Sequence, residues 1–200
     1  MSNLVGRRAP NFDASAVLAD GTISENYNLY DNIKGKYSLL FFYPLDFTFV
    51  CPSELISLSR KADEFKKRNV ELIAVSIDSH FSHNAWRNTD IKDGGIGPVN
   101  YTLVSDINHN IIKDYGVKHH IAHVAFRAVF IIDKEKQVRI QHVNDLPIGR
   151  NIDELIRLVD ALQFHENNGE VCPVNWNKGQ EGMKPTQDGV AKYLSKNFLK

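Results

Sequence analysis

The chain has 200 residues, and its 24 lysines and arginines balance its 24 aspartates and glutamates, so the formal net charge is zero. This balance, without a basic stripe, argues against nucleic acid as a partner, and no apolar run is long enough for a membrane span. The stretch Met1 to Arg8 lacks the apolar segment of a secretory signal, so we expect a reducing, cytoplasmic location.

The pattern of apolar residues predicts an α/β protein in which strands and helices alternate. An N-terminal hairpin is predicted from the apolar stretch Phe12 to Leu18 and the turn dipeptide Asp20-Gly21. Further strands are predicted over 37–43, 70–77, 102–104, 125–132 and 136–143, with helices from about Cys51, Ser79, Asn108 and Asn151 or Asp153. This alternation favours a central mixed sheet flanked by helices, with the last two strands as an antiparallel edge.

The last part of the chain differs in composition from the rest. Glycine and proline recur between Asn167 and Lys200, where a short helix is predicted over Val190 to Phe198. We therefore expect residues 1–166 to form one domain and residues 167–200 to form a C-terminal arm rather than a second domain.

Cys51 lies where a predicted buried strand has ended and a predicted helix begins. Pro52, which suits the first helical position, follows it, and Leu55 and Leu58 then recur at helical spacing. The free N–H groups and the dipole of a helix start favour an anion, and hence the reactive thiolate form of a cysteine. The alternative is a small buried apolar residue, but the order strand, loop, Cys, Pro, helix favours the reactive thiol.

Cys172 is the second of the two cysteines, and no CxxC motif is present, which excludes the usual thioredoxin-type dithiol and the usual zinc knuckle. Two cysteines in a cytosolic protein are more often free or catalytic than joined in a permanent structural bridge. The histidines include His80 with His83 and His119 with His120, but none stands in a recognised ligand motif, so we expect no metal. No phosphate loop or dinucleotide fingerprint is present, so we expect no cofactor.

Pro44, Thr48 and Cys51 have the spacing of the peroxidatic-cysteine motif of the typical 2-Cys peroxiredoxins. In that motif a threonine follows the proline by four residues and the cysteine follows by three more. The stretch Glu170 to Pro173 resembles the resolving-cysteine motif of the same family, and residues 125–133 resemble the strand that carries its active-site arginine. The match keeps the same order and spacing over nearly the whole chain. The subgroup that it resembles most is that of alkyl hydroperoxide reductase C and the thioredoxin peroxidases.

The resemblance implies a thioredoxin-like fold and a thiol-dependent peroxidase that acts on hydrogen peroxide and organic hydroperoxides. It implies that Cys51 is the peroxidatic thiol and becomes a sulfenic acid. Cys172, from the partner subunit of a homodimer, is then the resolving thiol, and the two form an intersubunit disulfide. Thioredoxin or a flavoprotein disulfide reductase is the implied electron donor. The family also implies a ring of dimers, such as a decamer.

The same resemblance assigns further residues around the peroxidatic thiol. Arg127 stays charged and offers several donors beside the thiolate. Thr48 both accepts and donates, so it can hold the peroxide proton and orient the attacked oxygen, while Pro44 keeps water away. Glu54, which helps to organise the arginine, and Arg150, which matches a family arginine near the site, are secondary candidates.

Each assignment has a structural alternative. Thr48 would be a loop hydroxyl that caps the helix, Pro44 a strand terminator, Arg127 a barely buried arginine at an edge, and Cys172 a spectator in a floppy tail. Two alternatives concern the whole protein. A general thiol–disulfide oxidoreductase needs a local dithiol, which the sequence lacks, and a holdase would be built from a ring of dimers.

Two stretches resemble family motifs that govern over-oxidation. Gly94 to Gly97 resembles the GGLG motif with isoleucine in third place, and Tyr193-Leu194 resembles the Tyr-Phe motif with leucine in second place. In the family this pair packs over the active-site helix, slows its unwinding and so exposes the sulfenic acid to further oxidation. The departures predict intermediate sensitivity. The alternative is a glycine loop and a tail helix without regulatory effect.

Overall fold

Seven strands form one mixed sheet in the structure, a computed structural model that describes residues 3–199. The strands are β1 (Asp13–Val17), β2 (Ile23–Asn28), β3 (Tyr37–Phe42), β4 (Val70–Ser76), β5 (Thr102–Ser105), β6 (Arg127–Ile132) and β7 (Val138–Asn144). Their spatial order is β2-β1-β5-β4-β3-β6-β7. The predicted mixed sheet is therefore confirmed.

The parallel centre of the sheet explains the most apolar strands. β3 pairs in parallel with β4, and β4 with β5, and every residue of β3 is buried. Parallel strands are joined by helical crossovers that cover the sheet, so such strands read as nearly continuous apolar runs. Antiparallel pairs complete both edges, β1 with β2 on one side and β6 with β7 on the other. Both the predicted hairpin and the predicted antiparallel edge are confirmed.

The helices are α1 (Leu29–Asn32), α2 (Cys51–Arg60), α3 (Ala62–Lys66), α4 (His80–Arg87), α5 (Asn110–Asp114), α6 (Ile152–Asn168) and α7 (Gln187–Phe198), with a 3₁₀ turn at Ile91–Asp93. Of these, α3 packs against β4, and α4 packs against β1 and β5. The predicted cap of α4 is confirmed, because the Ser79 side chain accepts from the backbone N–H of Ser82. The pattern missed α1 and the 3₁₀ turn, since so few residues carry no helical period.

One predicted helix is interrupted. The apolar spacing predicts a single helix from Cys51 to about Asn69, but α2 ends at Arg60 and α3 begins at Ala62. The residue between them, Lys61, has φ −103° and ψ 5° and so leaves helical geometry. The segment also ends earlier than predicted, because α3 stops at Lys66, and Asn69 then adopts a left-handed φ of 55° before β4 begins.

The glycine stretch from Gly94 to Gly97 has a local structural reason. A Cβ atom on Gly95 would lie 1.9 Å from the carbonyl oxygen of Thr89, so only glycine fits there. Gly94 and Gly97 adopt left-handed φ values of +85° and +67°. The loop geometry alone thus accounts for these glycines, and their regulatory role stays a prediction.

The chain divides into two compact units, one ending at Ile152 and the other beginning at Asp153. In the second unit, an isolated bridge joins Val171 to Met183 between α6 and α7. Trp176 is buried there and packs on Phe164 with 4.8 Å between ring centroids. The packing thus groups α6 with the arm, and the predicted boundary between residues 166 and 167 stays a prediction. Within residues 3–199, no helix combines the length and apolar character needed to cross a bilayer.

Candidate active site

Cys51 is the first residue of α2, and its side chain is fully buried. It follows the loop that leaves the end of β3. Pro52 therefore occupies the second helical position, one residue later than its own preference predicts. The cap residue, Val50, supplies no side-chain acceptor for the first turn. The positive end of the helix is thus left available to an anion at the position of the thiol.

Two polar side chains contact the thiol of Cys51. The Oγ1 atom of Thr48 lies 3.0 Å from Sγ, and the Nη1 atom of Arg127 lies 3.4 Å from it. The Thr48 hydroxyl also lies 2.9 Å from the carbonyl oxygen of Leu45, which can only accept. The Thr48 hydroxyl has one proton, so it donates either to this carbonyl or to the sulfur of Cys51. Thr48 does not cap α2, so the capping alternative is wrong.

Arg127 is held in place by hydrogen bonds to two groups other than the thiol. It begins β6 and is only 4% exposed, so the alternative of a barely buried edge arginine is wrong. Its Nε donates to the carbonyl of Leu146 at 2.5 Å, and its Nη1 donates to Oε2 of Glu54 at 2.8 Å. The guanidinium is therefore held at the thiol by groups that are already in place, which is what preorganised charge stabilisation requires.

Glu54 and Arg150 form the centre of this buried network rather than its margin. The Nε and Nη2 atoms of Arg150 donate to the two carboxylate oxygens of Glu54 at 2.8 and 2.9 Å, and its backbone N–H donates to Oε1 at 2.7 Å. The Nη1 atom of Arg150 donates to the carbonyls of Phe42 and Ala128, at 2.7 and 2.8 Å. One arginine thus joins the start of α2 to two neighbouring strands.

The charges in this network shift each other's protonation in opposite directions. Burial on its own raises the pKa of Glu54, but the hydrogen bonds and charge of Arg150, together with Arg127, outweigh it and hold the pKa below the usual range. Burial lowers the pKa of Arg150, and the bonds to Glu54 oppose this shift. Glu54 is therefore an ionised carboxylate between two guanidinium groups.

Two predicted site residues are not joined to this network by a described contact. Pro44 is buried in the loop after β3. Cys172 lies in the second unit, half-buried, with Sγ 3.4 Å from the carbonyl oxygen of Ala161. Burial raises the pKa of the Cys172 thiol, and the charge of Arg157 opposes that rise. Both cysteines are free thiols.

Comparison with known families decides the class of the protein. The model of the AhpC/TSA family matches residues 5–141, and that of the C-terminal domain of 1-Cys peroxiredoxin matches residues 161–196. The chain belongs to the AhpC/TSA family. Of the site residues, Arg150 alone lies between the two matched segments, so neither family model covers it.

Similar proteins cover nearly the whole length of this peroxiredoxin. Alkyl hydroperoxide reductase C from Buchnera aphidicola subsp. Schizaphis graminum (strain Sg) is 53% identical over 195 residues, which cover 98% of each chain. Peroxiredoxin-1 from Gallus gallus is 50% identical over 192 residues, 96% of each chain. The solved structure of reduced 2-Cys peroxiredoxin from Plasmodium vivax matches with a TM-score of 0.93 at 50% identity, covering 97% of this chain and 100% of that one. The predicted family, the thioredoxin-like fold and the class of thiol-dependent peroxidase are confirmed.

A second buried network in this peroxiredoxin was not predicted from the sequence. Oδ2 of Asp46 lies 2.8 Å from Nδ1 of His83, and Nε2 of His83 lies 3.1 Å from the carbonyl oxygen of Val104. Both ring nitrogens of His83 thus lie within hydrogen-bond distance of oxygen atoms. Asp46 also accepts from the hydroxyls of Tyr43 and Ser82, each at 2.8 Å. Asp46 and His83 are therefore the centre of a buried hydrogen-bonded network.

The Asp46 network fixes the loop that carries Thr48. The backbone N–H of Asp46 donates to Oδ2 of Asp78 at 3.0 Å, and the Ser76 hydroxyl donates to the same oxygen at 2.6 Å. Burial, and then the charge of Asp46, raise the pKa of Asp78. The loop is thereby tied to the ends of β4 and β5. Only the topology, which places α4 directly after β4, offered a signal for the pairing of His83 with Asp46.

Replacing Asp46 with asparagine is expected to destabilise the fold by about 3 kcal/mol, because the amide replaces one of two buried oxygens that accept from Tyr43 and Ser82 and face His83. Urea denaturation followed by circular dichroism measures the change. Asp90→Asn is the matched control, since Asp90 is exposed and meets Lys92 only at 3.5 Å on the surface. Equal stability of the Asp46 and Asp90 variants would show that the pair contributes nothing.

Proposed function

We propose that this peroxiredoxin reduces hydrogen peroxide and small organic hydroperoxides with Cys51 as the peroxidatic thiol. The observation that supports this is a buried thiol at a helix start, 3.0 Å from the Thr48 hydroxyl and 3.4 Å from the Arg127 guanidinium. The thiolate attacks one peroxide oxygen, a bond forms between sulfur and oxygen, and the O–O bond breaks. Hydroxide or alkoxide leaves and takes up a proton, and Cys51 becomes a sulfenic acid.

The neighbours of the thiol act on the charge that moves in this step. Negative charge passes from sulfur to the leaving oxygen, and Arg127 remains charged throughout, so it stabilises both ends of the transfer. Thr48 hydrogen-bonds the peroxide and orients the attacked oxygen, because its hydroxyl both accepts and donates. Pro44 forms part of the wall that excludes water. Glu54 and Arg150 act indirectly, by holding Arg127 and the start of α2.

The sulfenic acid is resolved by Cys172 of a second copy of the chain in a homodimer. Its thiolate attacks the sulfur of Cys51, the S–S bond forms, and hydroxide leaves and is protonated to water. A dithiol protein, thioredoxin or a flavoprotein disulfide reductase, returns both cysteines to thiols. This cycle requires a reducing compartment, such as the cytoplasm, and the dimers assemble into a ring.

The proposal is tested by treating the reduced protein with one equivalent of hydrogen peroxide. The wild type is expected to form a disulfide-linked dimer on a non-reducing gel, with Cys51 joined to Cys172 in the peptide mass spectrum. Cys172→Ser is expected to consume the same single equivalent but to stay monomeric on the gel, with a dimedone adduct on Cys51. A disulfide dimer that persists in Cys172→Ser would contradict the assigned resolving role.

A further inference from the structure

Arg157 holds the segment that carries Cys172. Its Nη1 donates to the carbonyl of Trp176 at 2.8 Å. Its Nε and Nη2 donate to the two carboxylate oxygens of Glu154, at 2.6 and 2.7 Å. The bidentate pair fixes the plane of the guanidinium, and this plane directs the remaining donor at the backbone of the arm.

The thiol of Cys172 lies along the same face of α6. Its contact, the carbonyl of Ala161, belongs to the residue four positions after Arg157, and residues four apart are neighbours on one helix face. Arg157 therefore meets the segment 172–176 at one end while Ala161 meets it at the other. The positive charge of Arg157 lowers the pKa of the Cys172 thiol, and Cys172 in turn raises the pKa of Arg157.

We propose that Arg157 is a positioning residue of the resolving step, which fixes the segment 172–176 on α6 and places a permanent positive charge beside Cys172. The proposal rests on the resolving role given to Cys172 above. It goes further in assigning a separate cation to the second thiol, so that each cysteine of the cycle has an arginine: Arg127 for Cys51 and Arg157 for Cys172.

The resolving step explains why this thiol needs a cation. Half-burial and a carbonyl acceptor both favour the protonated thiol, whereas only the thiolate can attack the Cys51 sulfenic acid. In the reverse half of the cycle, a reductant that attacks Cys51 expels Cys172 as a thiolate. A cation that stabilises this thiolate makes it a better leaving group. Arg157 therefore assists the formation of the disulfide, and it assists the opening of the disulfide when the reductant attacks Cys51.

A surface ion pair is the ordinary interpretation of Arg157 with Glu154, since they are three residues apart on a helix, and such pairs contribute little to stability. It does not explain the third bond, to the carbonyl of Trp176, whose indole is buried. The two interpretations differ in one measurable property, the protonation of Cys172.

The test uses Cys51→Ser as background, because the chain has two cysteines and this variant leaves Cys172 as its only thiol. Alkylation by iodoacetamide is measured against pH. Arg157→Gln is expected to displace the rate profile to higher pH and to slow alkylation at pH 7 about three-fold, because an opposite charge is removed. Arg157→Lys, which keeps the charge, is expected to stay near the parent. Lys178→Gln removes another positive charge of the same unit, at 3.2 Å from Asp160, and is the control.

Two outcomes would overturn the proposal. In the first, the pH profile of alkylation is the same in Arg157→Gln as in the parent, which would mean that the charge is irrelevant. In the second, the profile moves to lower pH, which would mean that Arg157 only holds the arm in place and that its loss exposes the thiol.

With Cys51 intact, Arg157→Gln is expected to form the disulfide at least about three-fold more slowly after one equivalent of peroxide. Its sulfenic acid should form at the unchanged rate. Failure of the resolving role itself would appear differently, as a disulfide dimer in Cys172→Ser.

Discussion

Replacing Cys51 with serine is expected to abolish peroxide reduction, with a loss in kcat/KM on the order of 10⁴-fold or more, as for other removed nucleophiles. The serine hydroxyl is not ionised at neutral pH, so neither the helix start nor Arg127 has a charge to stabilise. Removal of Thr48 or Arg127 would leave a thiol that still reacts, whereas serine removes the reacting atom. The measurement is consumption of hydrogen peroxide with a dithiol reductant in excess.

Ser57→Ala is the matched control for a change in the same helix. Ser57 is exposed, and its hydroxyl bonds only to the backbone carbonyl of Ser53, at 2.6 Å, among the described contacts. This variant is expected to keep the wild-type rate. Full activity in Cys51→Ser would assign the reacting thiol to Cys172 and would refute the proposed mechanism.

Replacing Glu54 with glutamine is expected to give the second largest effect, on both stability and rate. The amide presents N–H donors to the guanidinium groups of Arg150 and Arg127, which are also donors, and leaves a buried cation uncompensated. The free energy of unfolding should fall by about 3–5 kcal/mol. The rate should fall as well, because Arg127 loses the carboxylate that holds it near Cys51. Urea denaturation and kcat/KM for peroxide measure the two effects.

The contribution of the Glu54 carboxylate to the free energy of unfolding should depend on pH, and the lowered pKa of Glu54 sets the direction of this dependence. A group whose pKa is lower in the folded state contributes stability that is present above its ordinary pKa and is lost as pH falls through the folded value. The stability difference between wild type and Glu54→Gln should therefore be full at neutral pH and should shrink below about pH 4. Glu64→Gln is the control, since Glu64 pairs on the surface with Lys67 and Arg68, and it should change stability far less. A difference that grows in acid would contradict the assignment.

The strands were predictable because burial on both faces leaves a plain trace in the sequence. β3 reads as an unbroken apolar run, and its bounds are within a residue of those expected. The break between α2 and α3 left no such trace, because Lys61 is an ordinary helix former and the apolar spacing continues past it. The spacing of apolar residues indicates which helix face is buried, but it carries no information about the change in backbone ψ at Lys61.

The candidate site divides along the same line. Thr48 and Cys51 are neighbours in sequence, so the motif alone places them together. Glu54 and Arg150 looked secondary because an acid in a first turn and an arginine before a helix both have ordinary explanations. Their structural importance is visible only in the folded chain. The pairing of β3 with β6 brings the carbonyls of Phe42 and Ala128 close enough for the guanidinium of Arg150 to donate to both.

The two buried networks also set a geometric limit on where the disulfide can form. Asp46 and Glu54 are each held in place by several hydrogen bonds, and residues 47–53 connect the two. If Asp46 and Glu54 stay fixed, even a fully extended backbone keeps the Cα atom of Cys51 within about 10 Å of that of Glu54 and about 17 Å of that of Asp46. A disulfide adds roughly 6 Å between Cα atoms. While both networks hold, the Cα atom of a resolving cysteine must therefore come within about 16 Å of that of Glu54, and this distance restrains the arrangement of two subunits.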